Sequence, residues 1–182
     1  MHPRITELVN YLETQRAAVL GAAHAVPAAR WPETPTGGGW SVSEVLDHLH
    51  RVESGVARLI AKRAGAARAA GHAAETGTSS MLGALAGRGV EDRNLRIEAP
   101  AQVAPAPAVD ADRGVAALGE SRASLLDAIG VADGLALGDI HHTHLVLGEI
   151  NLYQWILFVG LHEKRHQSQL VEIPGRLDAV PR

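Results

Sequence analysis

The sequence predicts an all-α fold, a four-helix bundle with a long crossover between helices two and three, occupying residues 1–182 as one domain. Three observations lead there. Four stretches repeat apolar residues at helical spacing, strand-like alternation is nearly absent, and a long irregular segment rich in Ala, Gly and Pro separates the second and third stretches. A chain of 182 residues, 46% hydrophobic and 20% charged, can bury a sizeable core.

The first helix is expected after Pro3, a favourable first-turn residue, with Ile5, Leu8, Val9, Leu12, Val19 and Leu20 on one face. A turn-rich segment follows from Pro27 to Gly39. The second helix has the clearest start: Ser41-Val-Ser-Glu44 reads as a capping box, with Trp40 and Val45 placed as a hydrophobic staple. Its stripe is Val45, His48, Leu49, Val52, Val56, Leu59 and Ile60, and alanine-rich Ala64 to Ala74 can extend it. The crossover carries Pro100, Pro105 and Pro107, and its length permits helices two and three to run parallel. The third helix is expected from about Asp112 to Ile129 through Val115, Leu118, Leu125 and Leu126. The fourth begins near Asn151 and should stop before Pro174-Gly175.

Composition narrows the function. A net charge of −3 without a run of Lys or Arg offers no electrostatic footprint for nucleic acid or an anionic membrane. No apolar stretch can span a bilayer and the N-terminus does not read as a signal peptide, so the expected location is the cytoplasm. The chain has no cysteine, which excludes disulfides, zinc–thiolate sites and a cysteine nucleophile. Any metal must be held by His, Asp or Glu, and any thiol must come from outside.

The fourth helix sets His162 and His166 four residues apart within an apolar stripe, where the two imidazoles lie one above the other. His48, inside the stripe of the second helix, is the best third ligand; His50 falls on another face, toward the rim or solvent. A single histidine on an apolar face is ordinarily a hydrogen-bonded core residue. Three such positions, two at i and i+4, favour a metal with one coordination position left for water or substrate. His162-Glu163-Lys-Arg-His166 is also formally HExxH, yet no histidine follows it and Glu172 is too near to serve as a downstream ligand, which disfavours a protease. Glu163-x-x-His166 has no second copy, which disfavours a di-iron site. His144 is a candidate proton donor or acceptor, whereas His141 and His142 read as solvated loop. Glu163 is a candidate base, although its rotation from the inner face favours a supporting role. Trp155 and Phe158 would wall the site, and Gln169 could hydrogen-bond a ligand or metal-bound water.

Trp40-Ser-Val-Ser-Glu44-Val-Leu-Asp-His48-Leu, Arg93-Asn-Leu-Arg96-Ile-Glu-Ala-Pro100, His144-Leu-Val-Leu-Gly148, Tyr153-Gln-Trp155-Ile-Leu-Phe158 and His162-Glu-Lys-Arg-His166-Gln-Ser-Gln169, in this order and separation, resemble the DinB/YfiT-like superfamily over nearly the whole chain. Leu145 stands where that family often has proline. The resemblance implies a four-helix bundle, commonly dimeric, and a three-histidine metal site at His48, His162 and His166 holding Ni2+ or Zn2+. It also implies a transferase or isomerase that uses bacillithiol, mycothiol or glutathione on small electrophiles. The alternatives are a metal-dependent hydrolase with Glu163 or His144 as base, and a non-enzymatic stress-response homodimer with a structural metal.

Overall fold

The computed structural model describes residues 1–95, 97–106, 109 and 113–179. Four helices carry the fold: α1 (Pro3–His24), α2 (Val42–Ala69), α3 (Arg113–Ala132) and α4 (Leu152–Leu177). Arg96 and Pro107 of the crossover, and Asp112 where the third helix is expected to begin, lie outside the described residues.

Local chemistry sets the ends. Ser41 and Glu44 close the expected capping box, each side chain bonded to the other's backbone N–H at 3.2 and 2.8 Å. Asn151 and Gln154 do the same for α4 at 3.0 and 2.9 Å. α2 takes in the alanine-rich stretch as far as Ala69 and ends there because Gly71 turns left-handed at φ +69°, with His72 N–H bonded to the Ala67 carbonyl. α4 continues through Pro174, contrary to the sequence expectation. Contacts on both sides of the proline hold its last turn: Ile173 is buried, Leu177 packs against the same apolar cluster, and Thr36 N–H donates to the Arg176 carbonyl.

Side-chain contacts fix the directions. Arg68 at the end of α2 donates to the Val131 and Asp133 carbonyls at the end of α3, while His50 meets Ala117 near both starts. α2 and α3 therefore run parallel, as the long crossover permits. α1 and α4 also run together, with Arg4 over the Tyr153 ring and Arg16 against Glu163. Gly160 allows their close approach, since a Cβ there would meet Tyr11 at 2.6 Å.

The structure adds one element that the sequence reading placed in a loop. β1 (His141–His144) and β2 (Gly148–Asn151) form an antiparallel hairpin, with His144 opposite Gly148. Four-residue strands lack enough alternation to register as a pattern. Among the described residues, no helix is long and apolar enough to cross a membrane.

The core has two apolar clusters. One gathers Leu12, Val56, Leu125 and Val159, and the other Val19, Leu49, Leu118 and Leu170. Between them lies a charged layer with one residue from each helix: Arg16, Glu53, Arg122 and Glu163, all at most 7% exposed. Arg16 bridges Glu53 and Glu163 at 2.6 Å each, and Arg122 reaches Glu53 at 2.6 Å and Glu163 at 3.1 Å. Two guanidiniums facing two carboxylates cancel, which is the condition for keeping charge inside a protein.

Candidate metal centre

α2 turns His48 inward beside Leu49, and α4 turns His162 and His166 toward it on successive turns. His48 and His166 are buried; His162 is half-buried. The Nε2 atom of His162 lies 3.2 Å from Nε2 of His48 and 3.2 Å from Nε2 of His166. One ligand atom from each ring falls within 4.8 Å of the others. Tetrahedral coordination with bonds of about 2.0–2.1 Å would separate nitrogens by about 3.3 Å. The donor spacing fits one divalent ion.

The outer hydrogen bonds strengthen that fit. His48 Nδ1–H donates to the Val103 carbonyl at 2.7 Å, and His166 Nδ1–H donates to Gln169 Oε1 at 2.8 Å. These acceptors assign the ring protons to Nδ1, so both Nε2 atoms present lone pairs. A proton on His162 Nε2 can satisfy only one of them. A cation satisfies all three, and such outer partners hold a ligating imidazole in its tautomer and orientation.

The electrostatics favour neutral rings. Burial pushes His48 down, partly opposed by its Val103 bond and by Asp47. Burial and then the neighbouring His166 and His48 hold His162 well below the ordinary histidine range. His166 falls to about 3, through burial first, then His48, with the Gln169 bond opposing and Arg165 and Arg93 adding to the fall. Unprotonated imidazole is the form that binds metal.

The triad forms the floor of a cleft of about 790 Å³, walled by Trp40, Trp155 and Phe158 and roofed by the β1–β2 turn and the crossover. Trp40 stacks on His166 with centroids 5.9 Å apart and tilts against His48 at 4.7 Å. Trp155 donates from Nε1 to the His142 carbonyl at 3.2 Å and leans on His144. His144 lies over Phe158 at 4.6 Å. Its Nδ1 accepts the Val146 and Leu147 backbone N–H groups at 3.1 and 3.2 Å, which assigns the ring proton to Nε2. Burial lowers its pKa, keeping the ring neutral. His144 is therefore a donor toward the cleft, and Leu145 beside it is an exposed turn residue.

Most expected site residues converge. His48, His144, Trp155, His162, His166 and Gln169 all line this cleft. Gln169 bonds to His166, one of the three candidate ligands. Glu163 does not join them, because both carboxylate oxygens are held by Arg16 and Arg122 in the charged layer. His141 is exposed, and half-buried His142 pairs with Arg63 at 2.8 Å. His50, half-buried, is held to the Ala117 carbonyl at 2.9 Å and lines a separate cavity. Its neighbours Leu46, Glu53 and Ala57 are fully buried, since α2 is covered on that face by α3. Sequence reasoning missed the Val103 carbonyl, which no side-chain pattern announces, and the packing of Trp40 over two histidines.

The family model of the DinB superfamily matches residues 11–170. The uncharacterized protein YuaE of Bacillus subtilis (strain 168) is 30% identical over 152 residues, covering 80% of this chain and 84% of the relative. No solved structure gives a significant match.

Proposed function

The chain belongs to the DinB superfamily, and from that premise we propose that it is a metal-dependent transferase or isomerase using a low-molecular-weight thiol on a small electrophile. We read the four helices as one bundle domain over residues 1–182, commonly paired as a homodimer in this family. The observation that carries the proposal is the set of three convergent Nε2 atoms at the floor of a largely apolar cleft. His48, His162 and His166 would hold the ion, and neutral imidazoles suit Ni2+ and Zn2+ alike. A divalent cation there supplies the Lewis acidity that favours the thiolate form of an added thiol. Without cysteine in the chain, that thiol is a cosubstrate.

The chain's own residues orient and exclude. Val103 and Gln169 fix two ligands, while Trp40, Trp155 and Phe158 keep water from the sulfur. In the transfer, a sulfur lone pair forms the new carbon–sulfur bond and the leaving group departs with its bonding pair, while the thiol proton is released to solvent. Negative charge collects on the electrophile, and His144 Nε2–H is the donor placed for it. Hydrolysis finds less support: Glu163 is held in the charged layer, and His144 already uses Nδ1 as an acceptor.

The test is elemental analysis of untagged protein beside His48→Ala, followed by turnover of a small chlorinated electrophile with and without bacillithiol, mycothiol or glutathione. About one nickel or zinc per chain, lost in the variant, with thiol-dependent turnover, is the expected result. Product formed without thiol would move the assignment to a hydrolase. A protein that takes up no metal on reconstitution would overturn the proposal.

A further inference from the structure

The cleft has a charge character that the chain as a whole lacks. The chain has 20 acidic residues and a net charge of −3. Among the described residues that line the cleft, Arg88, Arg93 and Arg165 stand without a single aspartate or glutamate.

Two of these guanidiniums are anchored on neutral oxygens. Arg88 donates to the Leu147 carbonyl at the hairpin turn. Arg165 donates to the Asp92 carbonyl and, at 2.6 Å, to the Leu95 carbonyl of the crossover. The Asp92 carboxylate itself accepts from the Asn94 backbone and side-chain amides at 2.8 and 3.0 Å. Of the three, only Arg93 pairs with a carboxylate among the described residues, Glu172 at 2.7 Å. A backbone carbonyl fixes a guanidinium without cancelling its charge, and five N–H donors per group leave capacity for a ligand.

The rest of the rim is apolar. Leu145 and Val146 on the hairpin turn are 83% and 54% exposed, and Leu95 and Ile97 on the crossover are 48% and 45% exposed; all four line the cleft. Exposed apolar side chains on the hairpin turn and the crossover, beside guanidiniums anchored mainly on neutral oxygens, match a ligand with the complementary division.

We infer that the electrophilic substrate of this cleft is an amphipathic carboxylate, its apolar body lying between the hairpin turn and the crossover and its carboxylate held by Arg88 and Arg165. The inference rests on the cleft being the substrate site of the proposed transferase, but its test reads binding and not turnover. Trp40 and Trp155, two of the three tryptophans, line the cleft, so intrinsic fluorescence reports occupancy.

Metal-loaded protein is titrated with 4-phenylbutyrate and with its uncharged isostere 4-phenylbutyramide. The acid should bind about tenfold tighter or better, the scale of a charge-assisted hydrogen bond. Arg88→Gln and Arg165→Gln should reduce that preference to about threefold or less, with amide affinity and metal content unchanged. A fall in either variant supports the assignment, which guards against a folding defect in Arg165→Gln alone. Equal binding of acid and amide would overturn it. So would a preference that survives in both variants, since the carboxylate would then be bound elsewhere. Displacement of 4-phenylbutyrate by saturating glutathione, but not by 2-mercaptoethanol, would assign the arginines to the thiol's carboxylates and overturn the assignment to the electrophile. None of these binding results depends on thiol-dependent turnover, so failure of the transferase proposal is scored separately.

Discussion

Two polar clusters lie next to one another in the middle of this protein, and His162 and Glu163 place them on consecutive residues of α4. The charged layer of Arg16, Glu53, Arg122 and Glu163 brings its own counter-charges, and Arg122 reaches one more carboxylate, Glu13, at its edge. The histidine cluster brings three nitrogens and leaves lone pairs facing one another. Both fit beside an apolar core, but only the first is complete in the polypeptide. Placement follows the same division: the closed cluster separates the two apolar cores, and the open one forms the floor of a cleft. Balance, not burial, distinguishes the self-compensated polar cluster from the candidate metal site.

The largest effect should come from unbalancing the closed cluster. Glu53 accepts from Arg16, Arg122 and Ser121 at 2.6, 2.6 and 2.5 Å. Glu53→Ala leaves two buried guanidiniums short of a partner and should destabilise the fold by about 3–5 kcal/mol, read from urea unfolding. Replacing all four residues together, as Arg16→Met, Glu53→Leu, Arg122→Met and Glu163→Leu, should restore most of that stability and leave metal content intact. A quadruple variant that folds but loses its metal would show that the two clusters act as one unit.

Acid should separate the clusters next. His166 titrates at about 3 in the folded chain against an ordinary value of 6.5, so its folded pKa is depressed. The unfolded chain then takes up a proton that the native state refuses. The stability contributed by the neutral ring is complete above pH 6.5 and is lost as pH falls toward 3. Metal-free protein should therefore lose about 1.4 kcal/mol per pH unit from this ring alone, or about 2 kcal/mol between pH 6.5 and 5. His162 and His48 are shifted in the same direction and steepen the loss. His166→Leu should flatten the profile over that window in denaturant melts. An unchanged slope would mean that the cluster is not tightly packed without its metal.

Much of this architecture was legible from the sequence because it depends on residue spacing. The four helices follow from their apolar stripes, the start of α2 from Ser41 and Glu44, and the clustering of His48 with His162 and His166 from His48 sharing a stripe with Leu49 and Val52. The closed cluster left a signal that went unread: Arg16 sits at helical spacing between Leu12 and Val19, and Glu53 between Leu49 and Val56. Charges of opposite sign inside apolar stripes on different helices are expected to meet. Other features had no local signature. The path of α4 past Pro174 depends on Ile173, Leu177 and a bond from Thr36, all set by tertiary contact. The cleft arginines are anchored by, or belong to, an aperiodic crossover, and Val103 acts through its backbone.

The smallest effect tests whether the open cluster has a supporting shell. Gln169 lines the cleft and bonds to His166 Nδ1 at 2.8 Å. Gln169→Leu keeps similar bulk but removes the acceptor that holds the proton on Nδ1 and the lone pair on Nε2. Loss of such an outer partner typically weakens metal binding about 10–100-fold, measurable by competition with a chromophoric chelator. The stability of the metal-free protein should change by under about 0.5 kcal/mol, because Gln169 is half-buried and supports no core packing. That split, a large change in affinity with little change in folding, is opposite to the one expected for Glu53. Unchanged affinity would reduce Gln169 to a boundary residue and leave the orientation of His166 to its contact with Trp40.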